Sequence, residues 1–197
     1  MKKLFFLPVF LVLFLVEKAN AQQSMFSVNY AVSQPTGNTA DFINQTSGRG
    51  FAAEFHKFIN RNIALGGEIG HVTLYKREIN KVYTEGTASL SGVQYRYQQN
   101  YPIMLSGSYF AFTEGIVKPY GSLALGTVAH NRQIDMGVFE SKETYWQFAI
   151  RPELGVLIAP SEYVGFKIGA KYYQSFAGGG LPGQSTLGLN FGIVFIR

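Results

Sequence analysis

Three histidines, His56, His71 and His130, are the side chains that could shuttle protons near neutral pH. A serine nucleophile would need one of them within hydrogen-bond reach, and a third group to orient it. His130 opens the run His130-Asn131-Arg132, with no serine at His-x-Ser spacing. His56 stands two residues from Glu54, and no serine adjoins it in sequence. Metal chemistry lacks its usual donors: cysteine is absent, and no two histidines sit at ligand spacing. Gly178-Gly179-Gly180 with Pro182-Gly183 lacks the Lys-Ser/Thr that completes a phosphate loop, and reads as a mobile surface loop. Asn44-Gln45-Thr46 matches a glycosylation sequon, which short polar loops reproduce by chance. Neither a catalytic site, a metal site nor a cofactor is expected. What stands out instead is a set of isolated charges at even spacing: Glu54, Glu68, the pair Arg151 and Glu153, and the pair Lys167 and Lys171.

Even spacing matters because the elements holding these residues are extended. Successive side chains of a strand point to opposite faces. Leu187, Leu189, Phe191, Ile193 and Phe195 alternate with Thr186, Gly188, Asn190 and Gly192. Phe26, Val28, Tyr30 and Val32 alternate with Ser27, Asn29, Ala31 and Ser33. Trp146, Phe148 and Ile150 alternate with Gln147, Ala149 and Arg151, and Val164, Phe166, Ile168 and Ala170 with Gly165, Lys167, Gly169 and Lys171. The pattern predicts eight strands near 25–33, 49–58, 63–75, 93–112, 118–130, 142–158, 164–174 and 185–197. It blurs at Tyr101-Pro102, where a bulge or bend is expected. The connections alternate between short turns at 59–62, 113–117 and 159–163 and longer loops at 34–48, 76–92, 131–141 and 175–184.

The ends and the composition decide the medium. Met1-Lys2-Lys3, the apolar run Leu4 to Val16 and Ala19-Asn20-Ala21 have the grammar of a secretory signal peptide over 1–21, leaving a single domain over 22–197. At 13 residues the apolar run is short of the roughly 20 that a spanning helix needs. Without Lys2, Lys3, Glu17 and Lys18 the net charge falls from +5 to +3, too mild to argue for nucleic acid. Charged residues make up 15% of the chain, against about 25% in ordinary soluble domains.

Either a soluble or a membrane barrel would alternate in this way. In a soluble barrel the apolar face points inward and the other face carries many charges. Here the second face is mostly Gly, Ala, Ser, Thr and Asn, which suits a narrow interior, while the bulky face suits lipid. Tyr30, Phe58, Tyr75, Tyr109, Phe112, Tyr120, Trp146, Tyr163 and Tyr172, near the strand ends, are expected as interfacial girdles. The fold class expected is all-β, an eight-stranded antiparallel up-and-down transmembrane β-barrel.

Specific stretches carry a family likeness. Gly48-Arg49-Gly50-Phe51 leads a strand into a short turn, and Asn62-Ile63-Ala64-Leu65-Gly66-Gly67-Glu68-Ile69-Gly70 leads out of it. Val117-Lys118-Pro119-Tyr120-Gly121 continues through Ser122-Leu123-Ala124-Leu125-Gly126. Across 22–197 the chain resembles the small bacterial outer-membrane β-barrel domain proteins, the group of OmpX-, OmpW- and OmpA-barrel-like chains. The resemblance implies an outer-membrane location, contact with lipid and lipopolysaccharide, and insertion by the barrel assembly machinery. Many members end on an aromatic residue, whereas this chain ends Phe195-Ile196-Arg197.

Such barrels include non-enzymatic surface and envelope proteins, narrow conduits for small, sometimes apolar molecules, and lipid A-modifying enzymes. The residues favour the first: a non-enzymatic barrel with exposed loops, serving envelope integrity or surface interaction. By parity Glu54, Glu68, Arg151, Glu153, Lys167 and Lys171 all point into a lumen just wide enough for side chains. The short turns place Glu54 opposite Glu68 and Arg151 near Lys171, with Glu153 and Lys167 a step below. The two glutamates are expected to reach across to these cations, with Gly66, Gly155 and Gly169 leaving room.

Overall fold

A computed structural model describes residues 23–85, 88–111, 115–137 and 139–197. The expected signal peptide and Phe112 lie outside the described residues. Eight strands close into one antiparallel barrel in chain order: β1 (Ser24–Thr36), β2 (Ser47–Phe58), β3 (Ile63–Glu85), β4 (Ala88–Phe110), β5 (Val117–Met136), β6 (Phe139–Ile158), β7 (Val164–Ser175) and β8 (Gln184–Ile196). A short helix α1 (Gly37–Phe42) follows β1. Pairing of β1 with β8 closes the wall, and Ser24 and Arg197 exchange backbone hydrogen bonds of 2.7 and 2.9 Å. Closure leaves no sheet edge along the barrel wall.

Alternation along the strands sorts the two faces. Phe26, Val28 and Tyr30 are exposed, whereas Ser27 and Asn29 between them are buried. The exposed face forms a continuous apolar belt, reaching 76% exposure at Leu105 and 73% at Leu154. Ten such side chains facing water would forgo on the order of 15–30 kcal/mol, more than the roughly 5–15 kcal/mol that keeps a domain folded. The belt therefore belongs in lipid. Its outer rim on β2 to β4 is the row Phe51, His71 and Tyr101, with Phe51 edge-on to His71 at 5.7 Å and His71 stacked on Tyr101 at 4.7 Å.

Strands β3 to β6 run well past that rim, so the expected loops 76–92 and 131–141 are largely strand. Unbroken pairing carries β3–β4 to Glu78↔Gln94 and β5–β6 to Met136↔Phe139. Above the membrane neither face of the sheet meets lipid, so hydropathy alternation fades while strand pairing continues. The Lys76-Arg77-Glu78 run reads as loop for that reason, yet Lys76 and Arg96 both pair with Glu78. The expected bulge at Tyr101-Pro102 is also absent. Pro102 supplies no N–H, so the β3–β4 ladder skips from Ile69↔Ile103 to Val72↔Asn100 without changing register. Gly70 accommodates it, since a Cβ there would lie 3.2 Å from the proline Cγ. The register shifts fall instead at Ala31/Ser33 and Glu78/Lys81.

Three girdle assignments need correction. Tyr120 is inside the lumen at 6% exposure, because even positions of β5 face inward while Leu123 and Leu125 face out. Phe58 packs on Phe110 at the short-turn end, and Tyr75 stands above the rim, paired with Tyr97. Tyr30, Tyr109, Trp146, Tyr163 and Tyr172 are exposed on the outer face.

Candidate functional site

The barrel wall brings the six inward charges together at mid-lumen. Glu54 and Glu68 are ladder partners on β2 and β3. Across the lumen, β6 carries Arg151 and Glu153, and β7 carries Lys167 and Lys171. Lys171 donates to Glu54 Oε1 at 2.5 Å and to Glu68 Oε2 at 2.8 Å. Arg151 lies 3.0 Å from Glu68 and also contacts Glu153. Lys167 completes the circuit, 3.1 Å from Glu153 and 2.5 Å from Glu54. The result is a closed ring of alternating charge: Glu54, Lys171, Glu68, Arg151, Glu153, Lys167 and back to Glu54. Each charge touches two of opposite sign, and the ring is neutral as a whole.

Neutral donors complete each carboxylate. The Tyr120 hydroxyl donates to Glu153 Oε1 at 2.6 Å, Asn29 Nδ2 donates to Glu54 Oε1 at 3.0 Å, and the Tyr173 hydroxyl donates to Glu68. Burial of charge is tolerable only with this degree of pairing. Parity already places Asn29 and Tyr173 on the inner face, whereas Tyr120, near a strand end, reads as interfacial and its role is hidden for that reason. Gly155 and Gly169 make the space: a Cβ at either would come within 2.8 Å of the Tyr120 hydroxyl. Gly66 does not serve the ring, since it faces His56. The register on the far wall also differs from expectation. Lys171 stands opposite Glu153, not beside Arg151, because the turn pairs Ile158 with Phe166 and that register holds unchanged past Pro152 to Ile150↔Gln174.

Packing closes the lumen on both sides of the ring. Toward the short turns, Met25, Phe110, Tyr120, Leu157, Val194 and Ile196 form an apolar plug. At the other mouth α1 folds over the opening. Its Thr39 donates to Gln184 Oε1 at 2.9 Å, and Phe42 lies beneath the guanidinium groups of Arg132 and Arg96, at 4.3 and 5.4 Å. A void of about 20 Å³ remains on either side of the ring, on the order of one water each.

The histidines divide between these layers. His71 is on the lipid face, as parity requires. His56 faces Ser106 Oγ at 3.2 Å below the ring. His130 sits above it, with Nδ1 2.7 Å from Asn100 Oδ1 and Nε2 3.2 Å from Ser175 Oγ. That connectivity resembles a hydrolase triad, assembled from three strands and so invisible to local spacing. Two features oppose hydrolysis. Ser175 is 1% exposed, and the nearby amide donors are committed: Gln98 to Asn100, Gln147 to Leu181 O and Gln184 to Pro182 O. Gly178 and Leu181 bond to each other at 3.1 Å across a tight turn where Gly179 and Gly180 have positive φ, so this segment is an ordered hairpin tip. Thr46 of the sequon bonds Gln34. Among the described residues no group of His, Asp and Glu is placed to hold a metal ion.

With this geometry established, comparison with known proteins is informative about fold. No family model and no curated protein sequence matches the chain. Solved structures do. Ail, the attachment invasion locus protein of Yersinia pestis, aligns with a TM-score of 0.58 at 11% identity, over 89% of this chain and 99% of its own. The Neisserial surface protein A aligns with a TM-score of 0.53 at 15% identity, over 91% and 99% of the two chains. OprG from Pseudomonas aeruginosa gives 0.52 at 12% identity, over 90% and 96%. The chain has the fold of the small outer-membrane β-barrels. That fold, wrapped in the lipid-facing belt described above, is that of a bacterial outer-membrane protein.

Proposed function

We propose that this barrel is a non-enzymatic outer-membrane protein. In this reading its lumen is a structural core, and its outer sheet, formed by the extended β3 to β6, serves surface interaction or envelope integrity. The observation that carries the reading is the closed charge ring. Each of its six members holds two others, so an ion entering the lumen would have to displace a fully paired group. The sheet supports the other half: four strands stand clear of the rim, on a scaffold too well paired to be an incidental loop. Ail, which shares the fold, is named for attachment and invasion and has been crystallised with the heparin analogue sucrose octasulfate.

The test is planar-bilayer conductance of the refolded protein. A silent bilayer is expected; stepwise conductance would favour the narrow-conduit reading instead. Unchanged lipid A masses in a deletion strain are expected as well, and an altered acylation pattern would favour the enzyme reading. Export and assembly belong to the same proposal. Residues 1–21 are removed as a signal peptide, and N-terminal sequencing of the membrane-inserted protein should begin at Gln22. Phe191 and Phe195, both lipid-facing on β8, stand in for a terminal aromatic toward the barrel assembly machinery. The belt meets lipopolysaccharide in the outer leaflet.

A further inference from the structure

Above the aromatic rim, the outer face of the β3–β6 sheet changes character within one residue step. Continuous register carries the rim position Trp146, facing Ala129 on β5, up to Thr144, and places Thr73, Gln99, Asn131 and Thr144 in one row across four strands. The next row is Tyr75, Tyr97, Gln133 and Lys142. Tyr97, Gln99, Asn131, Gln133, Lys142 and Thr144 of these rows, with the intervening Arg132 and Glu143, line a groove of about 130 Å³, far roomier than either void in the lumen.

We infer that this groove binds a neutral saccharide. The inference rests on the surface-interaction part of the proposed function and names its partner class. The polar groups are arranged for hydroxyls. Asn131 Oδ1 is buried and has no hydrogen-bond partner, so it is an acceptor waiting for a donor. Gln133 commits its amide nitrogen to Asp135 and Glu140, at 2.9 Å each, which leaves its carbonyl oxygen to the groove. Gln99 does the reverse: its oxygen accepts from the Tyr101 hydroxyl at 2.8 Å, and its nitrogen stays available to donate. Acceptor and donor amides thus stand on adjacent strands about 4.8 Å apart, the scale of one sugar ring. Tyr97 adds an aromatic face for the ring's C–H groups.

Charge argues for a neutral ligand. Among the described side chains in and around the groove, Arg49, Arg77, Arg132 and Lys142 stand against Asp135, Glu140 and Glu143, an excess of one cation. A sulfated or phosphorylated polymer would need a larger cationic excess than this single charge. A protein partner would need a desolvated anchor cluster. The groove is polar, and Tyr75 and Tyr97 pack on each other at 5.1 Å.

The sugar could be free glycan or the headgroup of a glycolipid in the same leaflet, since the groove begins one step above the rim. The experiment uses the full barrel in phospholipid nanodiscs, probed with an array of neutral and sulfated oligosaccharides. A second set of nanodiscs contains rough lipopolysaccharide, with association read by solution NMR shifts of the Asn131 and Gln133 side-chain amides. Neutral-array binding identifies a free glycan; shifts confined to the lipopolysaccharide discs identify a headgroup. Either result should fall at least tenfold in Asn131→Leu and Tyr97→Ala, each checked for folding by heat-modifiable gel migration. Absence of binding in both arms overturns the inference, as does binding unaffected by the two substitutions or restricted to sulfated probes. The lumen stays silent in bilayers in all these cases, so failure here leaves the sealed-barrel reading standing, and conductance alone would remove that.

Discussion

Replacing Arg151 by alanine should destabilise the barrel by about 3–5 kcal/mol, the cost of stranding buried charge. Arg151 is 0% exposed and links Glu68 to Glu153. Without it the ring opens into a chain and carries one uncompensated negative charge. Glu68 keeps Lys171 and Tyr173, and Glu153 keeps Lys167 and Tyr120, so the carboxylates remain held near one another. Arg132→Ala is the control. Its guanidinium donates to Gln98 and Gln184 above the ring and stacks on Phe42, but its loss strands no buried charge, so about 1.5–3 kcal/mol is expected. Urea unfolding in lipid vesicles reads both as shifts of the midpoint at constant slope. A second substitution separates lost charge balance from lost volume. Arg151→Met with Glu153→Gln restores neutrality at nearly the same size and should recover much of the loss. If the double variant is as unstable as Arg151→Ala, packing rather than charge holds this layer. Acid should narrow the gap between Arg151→Ala and the native barrel, because one proton on the opened ring cancels the stranded charge. The native ring, already neutral, has nothing to gain from it.

The parts of this design legible in the sequence are those that two-residue alternation encodes. Parity alone assigns the lipid face of β8 from Leu187 to Phe195 and sends Glu54, Glu68, Arg151, Glu153, Lys167 and Lys171 inward. A turn as short as 59–62 then sets the register that pairs Glu54 with Glu68. What parity cannot encode is which strand lies across from which height, since that depends on tilt and stagger around the whole barrel. The reach of the glutamates across the lumen is expected from the turns, but the closure of the contacts into one circuit is of this kind, as is the Asn100, His130 and Ser175 cluster. Local chemistry hid other features. The β6–β7 hairpin pairs Ile158 with Phe166 rather than with Val164, which sets Arg151 one inward step from Lys171. The outer sheet is polar on both faces, so Tyr75 to Glu78 and their partners on β4 carry no hydropathy contrast to read. The helix α1 is six residues long without a side-chain cap, and is held by contacts to Gln184, Ser185, Arg96 and Arg132 from distant strands.

The lipid face yields the second large effect. Ile168→Lys should cost about 2–4 kcal/mol, the range for a cation at the midplane of such a barrel. Ile168 on β7 pairs with Phe191 on β8, and Phe191 is the middle of the five lipid-facing residues from Leu187 to Phe195. From there neither interface is within easy reach of a lysine ammonium. Leu189 lies one outward-facing step nearer the long-loop rim, so Leu189→Arg should cost less, because the longer side chain can bend toward the headgroups. Nature supplies the third point of the series. Lys57 is exposed on the same lipid-side face as Phe55, pairs with Leu65, and is followed within two residues by the turn at 59–62. A lysine at that height costs only about 0–1 kcal/mol, so Lys57→Leu should change stability little. The three positions together define a depth profile: steepest at Ile168, intermediate at Leu189, flat at Lys57. Unfolding midpoints in vesicles and the folded fraction on unboiled gels would measure it. A barrel that assembled equally well with a lysine at 168 as at 57 would mean that this face does not meet hydrocarbon, and the inward assignment of the charge ring would fall with it.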